Sequence, residues 1–589
     1  MSVVGFVVAA FAFAGVALAF RSHKRTSLLV GMVGLVVVVV SAIAIDPAQS
    51  VLIGGAGLVT SAYLRLFLVL GSLVGLGLAF IGVAAGTRRD APAVTLATLG
   101  AAALTLALTD APGAVIVATT GGLFGVLVTL APSGGRAGAT VGIREARAVV
   151  VAGTMAIAGT AWIGGDLGQI PAQPVVVGLA YLAVGLAVAI RFGAIPFHLW
   201  AAHLADAVPE TALPILTVIG PASLAVVALA WTNASVAPLS LDVEAMRAIV
   251  LAVAVASIVL AGLAALVQDD IEHVVGYSIV GDAGVVLLAL AALDPAASGP
   301  ARTWILAFLV TRSAFAAWAA GIRLAFLTGR IGELGGWAIR SPILGIAFAL
   351  VAVASVGFPG LAAFDARTQL VGLALDGPLA VIVLLGTLSP LFYYGRLLVV
   401  GLSRSDRAVP PTASWRPRIV RPDLTAPQTW LRTSWSDNRA FSTALVAAML
   451  GLLALTTAAG AFGGPTTAAA GLPPRVGAAG PSVATYSFGA STQRSISRSY
   501  SNSSSGRNQS ASSVAAASGL SEAWTMFCAV SSAKSPRMVP SAASCGRVAP
   551  LIARTTAIAF GPSNARATSG AETMNPTNPA KNGFSRWVA

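Results

Sequence analysis

The chain predicts an all-α, polytopic membrane protein of about fourteen transmembrane helices, and three observations predict it. Of 589 residues, 56% are hydrophobic and only 10% charged, with mean hydropathy +0.85, whereas a soluble domain carries about 25% charged residues. Long uncharged stretches recur from Val3 to Phe462, many near the length of about 20 residues that spans a bilayer. The Lys and Arg residues between them fall almost wholly into alternate loops. Such a chain is not a secreted disulfide scaffold, a nucleic-acid-binding domain or a Rossmann enzyme.

Apolar runs between charges and Gly/Pro punctuation place spans near 3–20, 27–45, 62–86, 92–109, 112–131, 148–164, 174–201, 211–231, 248–267, 274–293, 303–327, 341–375, 379–402 and 441–463. The first segment lacks a preceding basic region and a small-residue cleavage site, so it reads as a span. One set of alternate loops holds seventeen Lys and Arg, from Arg21 to seven arginines between Arg404 and Arg439, and the other holds only Arg247 and Arg302. The positive-inside rule then puts the N-terminus outside and the 404–439 loop in the cytoplasm of a multi-pass cell (inner) membrane protein.

The organisation follows as N-terminal helices in 1–110, two helical units in 111–245 and 246–402, an Arg-rich loop in 403–440, a last span in 441–463 and a tail in 464–589. That tail is rich in Ser, Ala and Gly without helical periodicity, and its composition predicts disorder. It supplies nine of the fourteen net positive charges and both cysteines, Cys528 and Cys545. The membrane body therefore has no thiolate for a metal or Fe–S ligand. Arg outnumbers Lys 33 to 3, and Lys24 is the body's only lysine.

Ionisable residues inside spans are costly in hydrocarbon and mark interiors, cavities or partners. Three constellations carry them. Arg191, Pro196 and His198 lie in the seventh span, where Pro196 breaks the helix and frees carbonyls; a kinked span with a snorkelling Arg191 is the plainer reading. Gly357, Pro359 and Gly360 interrupt the twelfth span, followed by Asp365 and Arg367, which sit two apart and share no helical face. Paired broken helices point to a midplane ion site; a surface loop is the alternative. Glu272 and His273 begin the tenth span, and Asp282 lies about two turns inside it. His273 has the chemistry to relay protons near neutral pH, or else belongs to a solvated loop. Arg65, Arg312, Arg323 and Arg396 also lie in or near spans, where each is equally readable as a snorkelling side chain.

Four segments carry a resemblance. Pro196-Phe-His-Leu-Trp200, Asp270-Ile-Glu-His-Val-Val-Gly-Tyr-Ser278, Gly357-Phe-Pro-Gly-Leu-Ala-Ala-Phe-Asp-Ala-Arg367 and Tyr393-Tyr394-Gly-Arg396 follow one another in the right order. The sequence over roughly 1–463 resembles the antiporter-like subunits of proton-pumping NADH:quinone oxidoreductase (respiratory complex I), most closely its chain N. The resemblance implies two inverted five-helix repeats, broken helices seven and twelve, and a row of buried charges that moves protons when partner subunits transfer electrons. It implies other membrane subunits of a multisubunit redox complex as partners, besides lipid, protons and ordered water. No NADH, flavin or Fe–S motif is present, so no cofactor is expected on this chain, and quinone is expected at a partner.

Carried over by position, two lysines of that family fall at Arg191 and Arg367. A third falls near Ala222. A Lys-Arg pair becomes Glu272-His273, and a histidine becomes Asp282. The key early glutamate falls at Ala107, with Asp110 three residues on. Arginine is effectively never deprotonated, so Arg191 and Arg367 are expected to act as fixed electrostatic gates. Any proton passage then falls to His198, His273, Asp282, Asp365 and water, with Glu272 and Asp110 as further candidates. The leading expectation is a proton-translocating subunit. The alternatives are a non-conducting structural subunit of a related hydrogenase or ion/carbon-uptake complex, or a cation/proton antiporter subunit.

Overall fold

The computed structural model describes residues 1–84, 91–130, 136–162, 174–239, 241–326 and 328–403, all within the compact unit Met1–Ala484. The expected 404–439 loop, last span and tail lie outside the described residues. In chain order the elements are α1 (Val3–Ala19), α2 (Lys24–Ile43), β1 (Ser50–Ile53), β2 (Ala56–Val59), α3 (Ala62–Ala84), α4 (Ala91–Ala107), α5 (Ala111–Leu130), α6 (Arg136–Trp162), α7 (Pro174–Phe192), α8 (Leu199–Ala207), α9 (Gly220–Ser235), α10 (Glu244–Val267) and α11 (Ile271–Ala292). They continue as α12 (Ser298–Phe326), the single turn α13 (Trp337–Arg340), α14 (Pro342–Val356), α15 (Ala362–Ala374), α16 (Gly377–Gly386) and α17 (Pro390–Leu402).

Among the described residues eight spans are long and apolar enough to cross a bilayer, and four shorter apolar helices accompany them. Their residues are apolar nearly all round, as helices in lipid or in a bundle core must be. The helix α12 is buried along its whole apolar length, whereas α10 and the pair α16–α17 turn most of theirs outward. Around α12 pack α3, α11, α14 and α15, and α10 lies along α11.

Two departures from the sequence reading have local causes. The chain between α2 and α3 forms an antiparallel hairpin pairing Ser50 with Val59 and Ile53 with Ala56, whereas the other regular elements among the described residues are helical. Its Gly54-Gly55 turn has both φ angles positive, the conformation that suits a two-residue hairpin. The sixth helix begins at Arg136, twelve residues before the expected span at 148. Its first turns carry Arg144, Glu145 and Arg147, whose charge reads as a loop but whose helix propensity is good.

The expected seventh span, now α7 and α8, and the expected twelfth, now α14 and α15, are both broken. After α7, Gly193 takes φ +65° and the chain unwinds to α8. Ser257 of α10 accepts the Ile195 N–H at 3.0 Å, and Trp200 Nε1 donates to the Ile190 carbonyl at 2.9 Å. The second break runs from Gly357 to Leu361, with positive φ at Gly357 and Gly360. A third interruption, 387–389, separates α16 from α17. A π-helical stretch, Ile215–Ile219, leads into α9, whose Pro221 has no N–H to give the preceding turn.

Close approach of α10 and α11 depends on Gly284. A Cβ there would sit 2.8 Å from the Ala254 carbonyl oxygen and 2.7 Å from Ile258 Cγ1, an approach of the small-residue kind common between membrane helices. Gly284→Ala is expected to destabilise the solubilised chain by about 1–3 kcal/mol through overpacking. Gly299→Ala, with nothing within 4 Å, is expected to leave stability unchanged. Thermal unfolding of the two variants in detergent checks the contrast.

Candidate functional site

The two breaks each face a buried guanidinium. Arg191, in the last turn of α7, is 4% exposed. Glu145 of α6, 3% exposed, is the acid whose charge acts on it. The space between them exists because three neighbours are glycines. A Cβ at Gly122 of α5 would lie 2.6 Å from an Arg191 terminal nitrogen, and one at Gly220 3.3 Å from it. At Gly125 the corresponding distance to Glu145 Oε1 is 3.5 Å.

The second centre gathers more residues. Asp282 of α11 is buried and pairs with Arg312 of α12, which is fully buried. Arg312 also donates to the hydroxyls of Tyr394 at 2.8 Å and Tyr393 at 3.3 Å. Arg367 of α15 is 1% exposed and donates to the Thr387 carbonyl at 3.2 Å and the Gly357 carbonyl at 3.3 Å. It therefore satisfies carbonyls freed at two helix interruptions, and the charge of Asp282 acts on it. A cavity of about 20 Å³ lies among Asp282, Arg367, Thr387, Trp304, Tyr277 and Tyr393, room for a water molecule.

His198, in the first break, and His273 of α11 come together at a second cavity of about 10 Å³, lined also by Gly276 and Tyr277. The His198 and Tyr277 rings are 6.2 Å apart. At the N-terminal end of α11, Glu272 is buried and pairs with Arg323 of α12. Glu210 completes that cluster, 2.8 Å from Arg323 Nε. The connection before α11 is pinned by Arg396, which donates to the carbonyls of Leu266 at 2.5 Å and Gln268 at 2.6 Å.

The expected site residues thus separate. Arg191, His198, Glu272, His273, Asp282 and Arg367 line the interior. Asp365 is exposed on the first turn of α15, on a different face from Arg367. Asp110 is also exposed, and its Oδ2 accepts the Gly113 N–H at 2.7 Å, the arrangement of a helix cap. Neither of these carboxylates reaches the buried row. Glu145 and Glu210 are not among the residues the sequence singles out, and Arg312, equally readable there as a snorkelling side chain, is fully buried. Glu145 has a readable signal, since Val141, Val149, Ala152 and Ala156 are buried on the same stripe of α6.

Residues 167–392 match the family of the NADH:quinone oxidoreductase/Mrp antiporter transmembrane domain. Among curated relatives, NADH-quinone oxidoreductase subunit N 1 of Streptomyces griseus is 28% identical over 292 residues, covering 47% of this chain and 59% of the relative. The like-named protein of Acidiphilium cryptum is 30% identical over 228 residues, covering 38% of this chain and 47% of the relative. The chain spans about half the length of the curated relatives it matches. Among solved structures, a chain of respiratory complex I from Thermus thermophilus superposes with TM-score 0.58 at 18% identity, over 77% of this chain and 96% of that one. A chain of the Mrp complex from Dietzia gives TM-score 0.61 at 18% identity, over 81% and 98%. Both share the fold. Both breaks, with Arg191, Asp282 and Arg367, fall inside the matched region, and over that region the chain is similar to the antiporter-like membrane subunits of the complex I and Mrp type.

Proposed function

We propose that the chain translocates protons as a membrane subunit of an NADH:quinone oxidoreductase-type complex whose partner subunits carry the electron transfer. One observation carries the reading: both helix breaks hold a buried arginine under the influence of a buried carboxylate, Glu145 with Arg191 and Asp282 with Arg367. Charge at such depth is expensive, and in a membrane interior it marks an ion pathway. In this reading the subunit lies in the cell's inner membrane with its N-terminus outside, supported by the seventeen-to-two division of loop cations.

The chemistry divides between fixed and mobile groups. Arg191, Arg312 and Arg367 hold their protons and set the field. Asp282, Glu145, His198 and His273, with water in the two cavities, carry the exchangeable protons. Electron transfer in the partners shifts the balance of each carboxylate–arginine pair, and the proton follows. The arginines at both breaks also favour a second reading, a subunit of the same architecture that anchors its partners without conducting.

Two measurements decide between them. In inverted membrane vesicles, NADH-driven interior acidification is expected to fall at least tenfold on Arg367→Gln, with normal amounts of assembled complex. Acidification at the wild-type level would leave only the anchoring reading. Glu145→Gln is expected to lose acidification as severely, whereas Asp110→Asn, altering an exposed cap, should change it less than twofold. The same dye-quench assay compares all three.

A further inference from the structure

Two cavities share one lining side chain. The first holds His198 and His273, and the second holds Asp282, Arg367 and Tyr393. Tyr277 of α11 lines both. His273 lies one helical turn before it on the same face, and the ring of His198 packs 6.2 Å from its own. The position one turn after it is Gly281, which lines the second cavity and offers no side chain.

We infer that Tyr277 is the link through which protons pass between the histidine cavity and the Asp282 cavity, an assignment that rests on the translocation reading above. A phenol is suited to this place. Its oxygen accepts a proton arriving from the histidine side while its own O–H proton leaves toward the Asp282 side. The hydroxyl then reorients, and the side chain ends as it began, with no net gain of proton or electron. Its ring lines both cavities, and each proton transferred through it depends on that rotation. His198 fits the role of donor to this link, because its ring lines the histidine cavity and packs against Tyr277.

The fold makes the position stiff. Trp304 of α12 donates to the Asp282 carbonyl at 3.2 Å, and Arg312 holds the Asp282 side chain. Toward the N-terminal end of the helix, Arg323 pairs with Glu272, and Arg396 holds the connection just before it. Between these anchors Tyr277 is only partly buried and lines both cavities, so its hydroxyl has room to turn.

The test uses the assembled complex in inverted vesicles, with proton uptake per NADH oxidised as the readout and co-purifying subunits as the check on assembly. Tyr277→Phe keeps the ring and removes the exchangeable proton; uptake is expected to fall at least fivefold with assembly unchanged. Tyr277→His returns an exchangeable proton and is expected to recover a third or more of the loss. Asp282→Asn runs beside them. If Tyr277→Phe pumps like the wild type while Asp282→Asn does not, protons bypass Tyr277 and the inference fails although translocation stands. If both pump like the wild type, translocation itself fails and takes the inference with it. Should Tyr277→His be as inactive as Tyr277→Phe in a fully assembled complex, the side chain serves packing alone and the link is refuted.

Discussion

The structure turns on keeping guanidinium groups where hydrocarbon would otherwise be. Removing an ion from water costs of the order of several kcal/mol unless partners replace the lost solvation. Here the replacement is built from backbone as much as from counter-ions. Arg367 takes one carbonyl from the α14–α15 break and another from the α16–α17 interruption. The breaks create unpaired carbonyls that need donors, and the arginine is a cation that needs acceptors, so each settles the other's requirement. Arg191 is held differently, by glycines that let α5 and α9 approach and by the charge of Glu145.

Helix α12 is the common wall of this arrangement. It supplies Arg312 to Asp282, Trp304 to the backbone of α11 and Arg323 to the Glu210–Glu272 cluster. All three contacts reach α11, so the acidic and hydroxyl-bearing groups of that helix are aligned by one rigid neighbour. The aromatic set of Trp318, Trp337 and Phe348 then packs α12 against α13 and α14, with ring centroids 4.5 to 5.4 Å apart. Rigid placement of this kind is what a fixed-charge mechanism requires, since a mobile arginine would relax away from the field it is meant to impose.

Much of this was legible in the sequence. Among the described residues hydropathy located the spans, and Gly193-Ala-Ile-Pro196 and Gly357-Phe-Pro-Gly360 located the breaks, because glycine and proline act on the backbone locally. The spacing of Asp365 and Arg367 shows that they share no face of a regular helix, but not which of the two is buried. Partners between distant helices were not legible. Glu145 sits between two arginines, and a hydropathy window treats that cluster as the end of a span rather than the start of a long helix. Arg312 has no local feature that distinguishes burial from snorkelling; only the convergence of Asp282, Tyr393 and Tyr394 from two other helices decides it. Asp110 shared a helical face with the expected glutamate position only if α4 continued, and the chain instead turns there and starts α5.

The ratio of ions at the two breaks differs. One has a single guanidinium to a single carboxylate; the other sets Arg312 and Arg367 around Asp282 alone. Beside it, the Arg323 cluster carries the opposite excess, with Glu210 and Glu272 against a single guanidinium. Among the described residues the surplus cation of one cluster thus has a surplus anion in its neighbour, and the cost of burying either is met within the bundle rather than by the lipid.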